Sequence, residues 1–206
     1  MTISKITLTA TAILALSIAG PANAKIATGS NVSDMTVVDS NGVTHNLSDF
    51  AGQKVVLEWT NHGCPYVVKH YDTGNMQKIQ KVATANDDAV WLSIISSAPG
   101  KQGYVSAEKA NELTTTRGAV PTAVVMDSSG EAGRAFNAKT TPHMFIIDEE
   151  QTLVYQGAID DNRSARHSTV ASANNYVLAA LDDLKSGAEV AVSDTAPYGC
   201  SVKYGS

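Results

Sequence analysis

Lys54-Val-Val-Leu-Glu-Trp-Thr-Asn-His-Gly-Cys-Pro-Tyr-Val-Val-Lys-His70 changes character at its centre. Residues 54–60 form an apolar, β-branched run that reads as a buried strand. The run breaks at Asn61-His62-Gly63, and Cys64 stands directly before Pro65. Proline suits the first position of a helix, where its missing N–H would be unpaired anyway. A helix is therefore expected from Tyr66 to Ala83. Cys64 sits at the strand-to-helix junction, where free backbone N–H groups and the helix dipole stabilise a thiolate. That is the setting of a reactive thiol; the competing reading is an inert cysteine packed at a helix start.

Upstream, Lys5 precedes an apolar run from Ile6 to Ala19, then Gly20-Pro21 and Ala22-Asn23-Ala24. This pattern predicts a cleaved secretory signal peptide over residues 1–24, too short in its apolar part to span a membrane. Residues 25–206 are then one soluble domain with a tail from Ala188, large enough to bury a proper core. The whole chain carries a formal charge of −5; without the single positive charge of Lys5, residues 25–206 carry −6. An acidic chain with no basic cluster argues against nucleic acid or an anionic membrane surface as partner. Export implies an extracytoplasmic compartment (the periplasm, for a Gram-negative source), where the two cysteines can be joined.

Either side of the opening stretch, the pattern alternates. Residues 25–34 are small and polar and read as loose. Met35–Val38 and Val43–His45 flank Ser40-Asn41-Gly42 and predict a hairpin. A turn of helix is expected over Ser48–Gly52, a second buried strand over Ala89–Ile95, and a helix from Ser106 to Thr116. Short elements follow at 121–126 (strand) and 131–137 (helix). Strands are expected over Thr141–Asp148 and Leu153–Ile159, then a helix over Ser168–Lys185 with Val170, Val177, Leu181 and Leu184 on one face. These elements predict an α/β domain with a central mixed sheet and helices on both faces.

Four pieces, in order, carry a resemblance: Glu58-Trp-Thr-Asn-His-Gly-Cys-Pro-Tyr-Val67, Thr141-Pro-His-Met-Phe145, Tyr155-Gln-Gly-Ala-Ile-Asp-Asp161 and Tyr198-Gly-Cys-Ser-Val-Lys-Tyr204. Together they resemble the thioredoxin-fold redoxins of the peroxiredoxin-like group, related to the alkyl hydroperoxide reductase and thiol-specific antioxidant enzymes. The resemblance implies a thioredoxin-like fold and a thiol-dependent oxidoreductase acting on disulfides or peroxides. It implies no nicotinamide, flavin or metal, with electrons supplied by a thiol-containing protein or small thiol.

Cys64 matches the first cysteine of a Cys-x-x-Cys motif, but Val67 occupies the second place. The peroxiredoxin pattern Pro-x-x-x-Thr-x-x-Cys is also broken, by Leu57 and Asn61. Cys200 is the one other thiol. It fits a resolving cysteine, which would displace product and leave Cys64–Cys200. It equally fits a permanent staple of the tail, contributing about 4–5 kcal/mol in the chain-entropy model, and pairing between molecules is a third option. Glu58 matches a buried acid that assists proton transfer in thioredoxins, against the plainer reading of a paired strand carboxylate. Thr141-Pro142 matches the cis-proline segment that faces the active cysteine.

His62 and His143 are expected near Cys64. A thiolate with imidazoles could bind Cu(I) or Zn(II), so a non-catalytic, metal-handling module is the rival to the enzyme. Val68 stands where copper-delivery relatives carry their second cysteine. Asp160, Asp161 and Arg163 read as a charged surface turn.

Overall fold

The structure, a computed structural model, describes residues 25–206; the expected signal peptide lies outside the described residues. A short antiparallel hairpin, β1 (Thr36–Val38) and β2 (Thr44–Asn46), leads through a 3-10 turn at Leu47–Phe50 into β3 (Lys54–Trp59). Then come α1 (Pro65–Asp72), α2 (Asn75–Ala83), β4 (Ala89–Ile95), α3 (Ala107–Thr116), β5 (Ala123–Met126) and α4 (Glu131–Ala135). The chain continues with β6 (Thr140–Thr141), β7 (His143–Ile147), β8 (Leu153–Gly157), α5 (Tyr176–Lys185) and β9 (Cys200–Ser201).

The main sheet has the order β5-β4-β3-β7-β8. Strands β3, β4 and β5 are parallel, whereas β7 runs antiparallel to both β3 and β8. Side chains alternate across this sheet. Val56, Trp91, Met144 and Ile146 face α1, α2 and α5, and Cys64 belongs to that layer. Val55, Leu57, Trp59, Phe145 and Ile147 face the hairpin and α4. The result is a thioredoxin-like α/β fold with a mixed sheet covered on both faces.

Three local expectations need correction. The helix expected over Tyr66–Ala83 is two helices: Gly74 takes φ +73°, and the Thr73 hydroxyl bonds back to the Lys69 carbonyl at 2.7 Å. A left-handed glycine ends one helix and lets the next leave in a new direction. The last helix begins at Tyr176 rather than Ser168, because Asn175 caps it by accepting the Leu178 N–H at 2.9 Å. Residues 167–172 form a separate 3-10 turn, so Val170 is not on the α5 face. Residues 25–34 are not loose. Gly29 donates to Leu153, Leu153 to Ser30, and Val32 to Gln151, so this segment covers the start of the edge strand β8. The end of the same edge is covered by the tail, through Gln156 N–H to Ser193 and Thr195 N–H to Gln156. Among the described residues no helix is long and apolar enough to cross a membrane.

Candidate active site

The loop that delivers Cys64 is held by Asn61. Its carbonyl accepts the Cys64 N–H at 3.0 Å, and its side-chain oxygen accepts the Gly63 N–H at 3.0 Å. The Asn61 amide donates to Gln102, at 2.8 Å to the side chain and 3.3 Å to the backbone. Gly103 makes this possible: it takes φ +92°, and a Cβ there would lie 2.4 Å from the Asn61 amide. Cys64 then caps α1, with Pro65 in the first helical position as the sequence predicts. The Thr141–Pro142 peptide is cis. The Thr141 carbonyl lies 3.0 Å from the Cys64 sulfur.

Cys64 Sγ is 2.7 Å from Cys200 Sγ, both as free thiols. Their environments push the two acidities apart. Burial raises the Cys64 pKa, but hydrogen bonding with the Cys200 and Thr141 side chains, and with the Val67 and Cys200 N–H groups, outweighs it and leaves the pKa lowered. Burial and the neighbouring Cys64 push Cys200 up to about 11, opposed by the Lys203 charge. Cys64 has 0% of its surface exposed, while Cys200 is half-buried.

What covers Cys64 is the tail, a strap that crosses the molecule. Thr195 packs on Gly157, where φ is +151° and a Cβ would lie 2.1 Å from the Thr195 hydroxyl. Gly199 lies against the Thr141 carbonyl, and β9 pairs antiparallel with β6, Cys200 opposite Thr141. Tyr204 then lies over Gly133 and donates to the Ala138 carbonyl at 2.8 Å, with Arg134 stacked on its ring.

Two residues before Cys200, the strap is anchored in a buried polar cluster that the sequence reading missed. The Tyr198 hydroxyl donates to Asp160 and lies 3.5 Å from His70 Nε2. Lys69 is fully buried; its ammonium donates to Tyr198 at 3.3 Å and to the Asn162 carbonyl at 3.2 Å, and it lies 3.8 Å from Asp160. Burial pulls the Lys69 pKa down while Asp160 opposes it. His70, buried beside Lys69, is pushed down to about 3 and is therefore neutral. Asp160 is thus not part of a surface turn but 2% exposed, whereas Asp161 stays outside and binds Asn174. Tyr198 stood two residues before Cys200 in a motif and could have been suspected. Nothing in the α1 sequence marks Lys69 as buried.

Glu58 is fully buried on the Cys64 face of the sheet. Its carboxylate accepts from Ser93 at 2.9 Å, Tyr71 at 3.0 Å, Trp91 at 3.1 Å and Gln80 at 3.5 Å. Burial raises its pKa despite these donors. A cavity of about 40 Å³, lined by Thr60, His62, Arg117 and others, adjoins the Glu58 partners Tyr71 and Ser93.

The histidines do not converge on Cys64 as expected. His143 points to the opposite face of the sheet from Met144, packs against Phe145 with tilted rings 4.4 Å apart and accepts the Lys139 N–H at 3.2 Å. Strand alternation decides this: the residue after the cis-proline must turn away from the Cys64 layer. His62 lines the cavity under α3, its carbonyl held by Arg117 at 2.7 Å. Among the described residues no three His, Cys, Asp or Glu side chains converge as a metal site.

A family model described as Redoxin matches residues 27–177. No curated protein matches the chain. Among solved structures, a hypothetical protein from Sinorhizobium meliloti superposes with a TM-score of 0.72 at 22% identity, covering 89% of this chain and 97% of its own. An uncharacterised conserved protein from Geobacillus kaustophilus gives 0.71 at 21% identity, covering 87% and 93%. A candidate protein disulfide isomerase from Bacteroides thetaiotaomicron gives 0.54 at 17% identity, covering 80% and 91%. At these identities the likeness is one of fold.

Proposed function

The chain belongs to the Redoxin family, and from that premise we propose that it is an exported thiol oxidoreductase that reduces disulfides through Cys64 and Cys200. The observation that carries this reading is that the tail brings Cys200 Sγ against Cys64 Sγ, within reach of a disulfide bond, with the acidities of the two thiols driven in opposite directions. The Cys64 thiolate attacks one sulfur of an acceptor disulfide and expels the other as a thiolate. Cys200 then gives up its proton and attacks the Cys64 sulfur. The second acceptor thiol leaves, and the pair is left as a Cys64–Cys200 disulfide. A thiol-containing protein or small thiol restores the dithiol.

Because Cys64 is wholly buried, the first attack requires the strap around Cys200 to lift. Thr141 and cis-Pro142 present the edge on which the strap, or an acceptor in its place, pairs. Glu58, buried on the same sheet face, is the group that stores a proton during the exchange. The leader with its Ala22-Asn23-Ala24 site supports export to an oxidising compartment, where such substrates persist.

Two observations bear on the rival readings. Peroxide is the poorer acceptor: the Asn61 amide is committed to Gly63 and Gln102, and Leu57 is packed in the opposite core layer. A disulfide needed only as a staple is disfavoured, because Thr195, Tyr198, Tyr204 and β9 hold the strap by contacts of their own. Initial rates with a model disulfide and with hydrogen peroxide test the proposal. Wild type should turn over the disulfide, Cys64→Ser should not, and Cys200→Ser should stall as a mixed disulfide on Cys64. If wild type turns over neither substrate, the enzymatic reading is to be dropped.

A further inference from the structure

Cys64 is wholly buried, so an outside disulfide meets it only at a seat that the strap has left. We propose that this seat recognises the acceptor, and that it selects an extended segment reading Tyr-Gly-Cys whose cysteine is in a disulfide. The inference rests on the reading of Cys64 as the attacking sulfur, and names the substrate class for that same site.

Each of the three positions is set by a different contact. Cys200 stands opposite Thr141 in the β6–β9 pair, with its sulfur against that of Cys64. An acceptor cysteine must bring its own sulfur within bonding distance of Cys64, so the register of β9 is the register it meets. An added strand pairs through its backbone, and the pockets beside the edge choose its side chains. One residue before the cysteine, only glycine fits. A Cβ on Gly199 would lie 2.1 Å from the Thr141 carbonyl oxygen, and its φ of +139° is one that other residues rarely adopt.

Two residues before the cysteine, the seat is a slot for a phenol. The buried Tyr198 ring meets Tyr66 edge-on at 5.8 Å, with the Lys69 ammonium 5.3 Å from its centroid. Its hydroxyl donates to Asp160 and accepts from Lys69 at 3.3 Å. Lys69 and Asp160 are themselves buried, so both lose a shared partner when the strap lifts. An acceptor tyrosine restores that partner. Phenylalanine fills the same space but leaves the carboxylate and the ammonium short of a hydrogen bond. A site built to bond a hydroxyl rejects the analogue that lacks it more strongly than an apolar pocket rejects a lost methylene.

Strap and acceptor compete for one seat, and that orders the reaction. The Cys64 thiolate bonds to the acceptor cysteine and expels its disulfide partner as a thiolate. The strap then returns, drawn by contacts that an acceptor reading only Tyr-Gly-Cys lacks, those of Thr195 with Gly157 and of Tyr204 with Ala138. Cys200 gives up its proton and bonds to Cys64, and the acceptor cysteine leaves as a thiolate and takes a proton. The acceptor disulfide becomes two thiols while the Cys64–Cys200 dithiol becomes a disulfide, so electrons balance with no further reactant.

The probes are symmetric disulfides of the peptide Pro-Tyr-Gly-Cys-Ser-Val, which copies residues 197–202. Three companions carry phenylalanine or alanine for the tyrosine, or alanine for the glycine. The reduced full chain is mixed with each, and the second-order rate of peptide-thiol release is followed after acid quench, with Cys64→Ser as background. The parent peptide is expected to react at least about tenfold faster than either alanine form. It should react at least about fivefold faster than the phenylalanine form. Equal rates across the series, all lost in Cys64→Ser, would overturn the inference and leave the redox reading standing. Rates no higher than the Cys64→Ser background would overturn both.

Tyr198→Phe separates competition from reactivity, because its strap is held less firmly. Every peptide should gain at least about threefold in this variant, with the tyrosine-to-phenylalanine ratio kept. No gain with any peptide would show that strap and acceptor do not share a seat, and would overturn the inference.

Discussion

Gly199 and Thr141 approach so closely that a Cβ on Gly199 would lie 2.1 Å from the Thr141 carbonyl oxygen. Gly199 also takes φ +139°, which a side chain disfavours. The same carbonyl faces the Cys64 sulfur, so the contact that seats the strap also covers that sulfur. Gly199→Ala should lift the strap at a local cost of about 1–3 kcal/mol. Iodoacetamide should then label Cys64 in the reduced protein at least about tenfold faster, as expected for a thiol gaining exposure. Unchanged labelling would show that this segment is not what covers Cys64.

Cys200 is the first of the groups that favour the Cys64 thiolate. Cys200→Ala should therefore raise the midpoint of Cys64 ionisation, followed by ultraviolet thiolate absorbance. Cys200→Ser, whose hydroxyl can still donate, should raise it less. Equal midpoints in all three proteins would remove the thiol–thiol hydrogen bond from the account.

Tyr198→Phe removes the hydroxyl that Asp160 and Lys69 share. Leaving those buried groups short of a partner should cost about 1–3 kcal/mol in urea unfolding. Tyr66, which meets the Tyr198 ring edge-on at 5.8 Å, should tolerate the change because phenylalanine keeps the ring.

His70 and His143 are both pushed down to about 3 by burial. Between that value and the ordinary histidine pKa, the unfolded chain binds protons that the native chain does not. Stability therefore rises with pH across this window and is lost as pH falls from about 6.5 towards 3, by up to about 5 kcal/mol per histidine. Urea midpoints measured across that range should fall steeply for wild type and less steeply for His143→Leu.

Glu58 behaves with the opposite sign. Burial raises its folded pKa above the unfolded value, so it favours the native state at low pH. That contribution is lost as pH rises through the folded pKa. Glu58→Gln should lack this loss, and its difference from wild type should change with pH in that direction. If Glu58 also stores a proton in turnover, the pH–rate profile of Glu58→Gln should lose one ionisation.

The opening stretch alone carried most of the fold. Val55 to Trp59 could only be a buried strand, Asn61-His62-Gly63 could only interrupt it, and Pro65 could only begin a helix. These are local steric and burial effects, which sequence expresses directly. The break at Gly74 was equally local, and the left-handed preference of glycine was its signal. Asn175 likewise marked the start of α5.

The site divides in the same way. That Cys64 caps a helix was legible from its neighbour Pro65, and that it faces a cis-proline was legible only from the resemblance of the Thr141-Pro142 segment to its family. That Lys69, Asp160 and Tyr198 share one buried cluster was not, because each is polar and by composition belongs on the surface. Burial of a charge is settled by what other segments bring to it, and these partners come from α1, the loop after β8 and the tail. The position of His143 was decided by the alternation of β7 against β3, which sends it away from the thiol. Local propensity and motif spacing were enough for an α/β chain with a thiol at a helix start and a second thiol on a tail. That the tail is a strap bringing Cys200 to the Cys64 sulfur follows from long-range packing alone, because that meeting joins residues 136 positions apart.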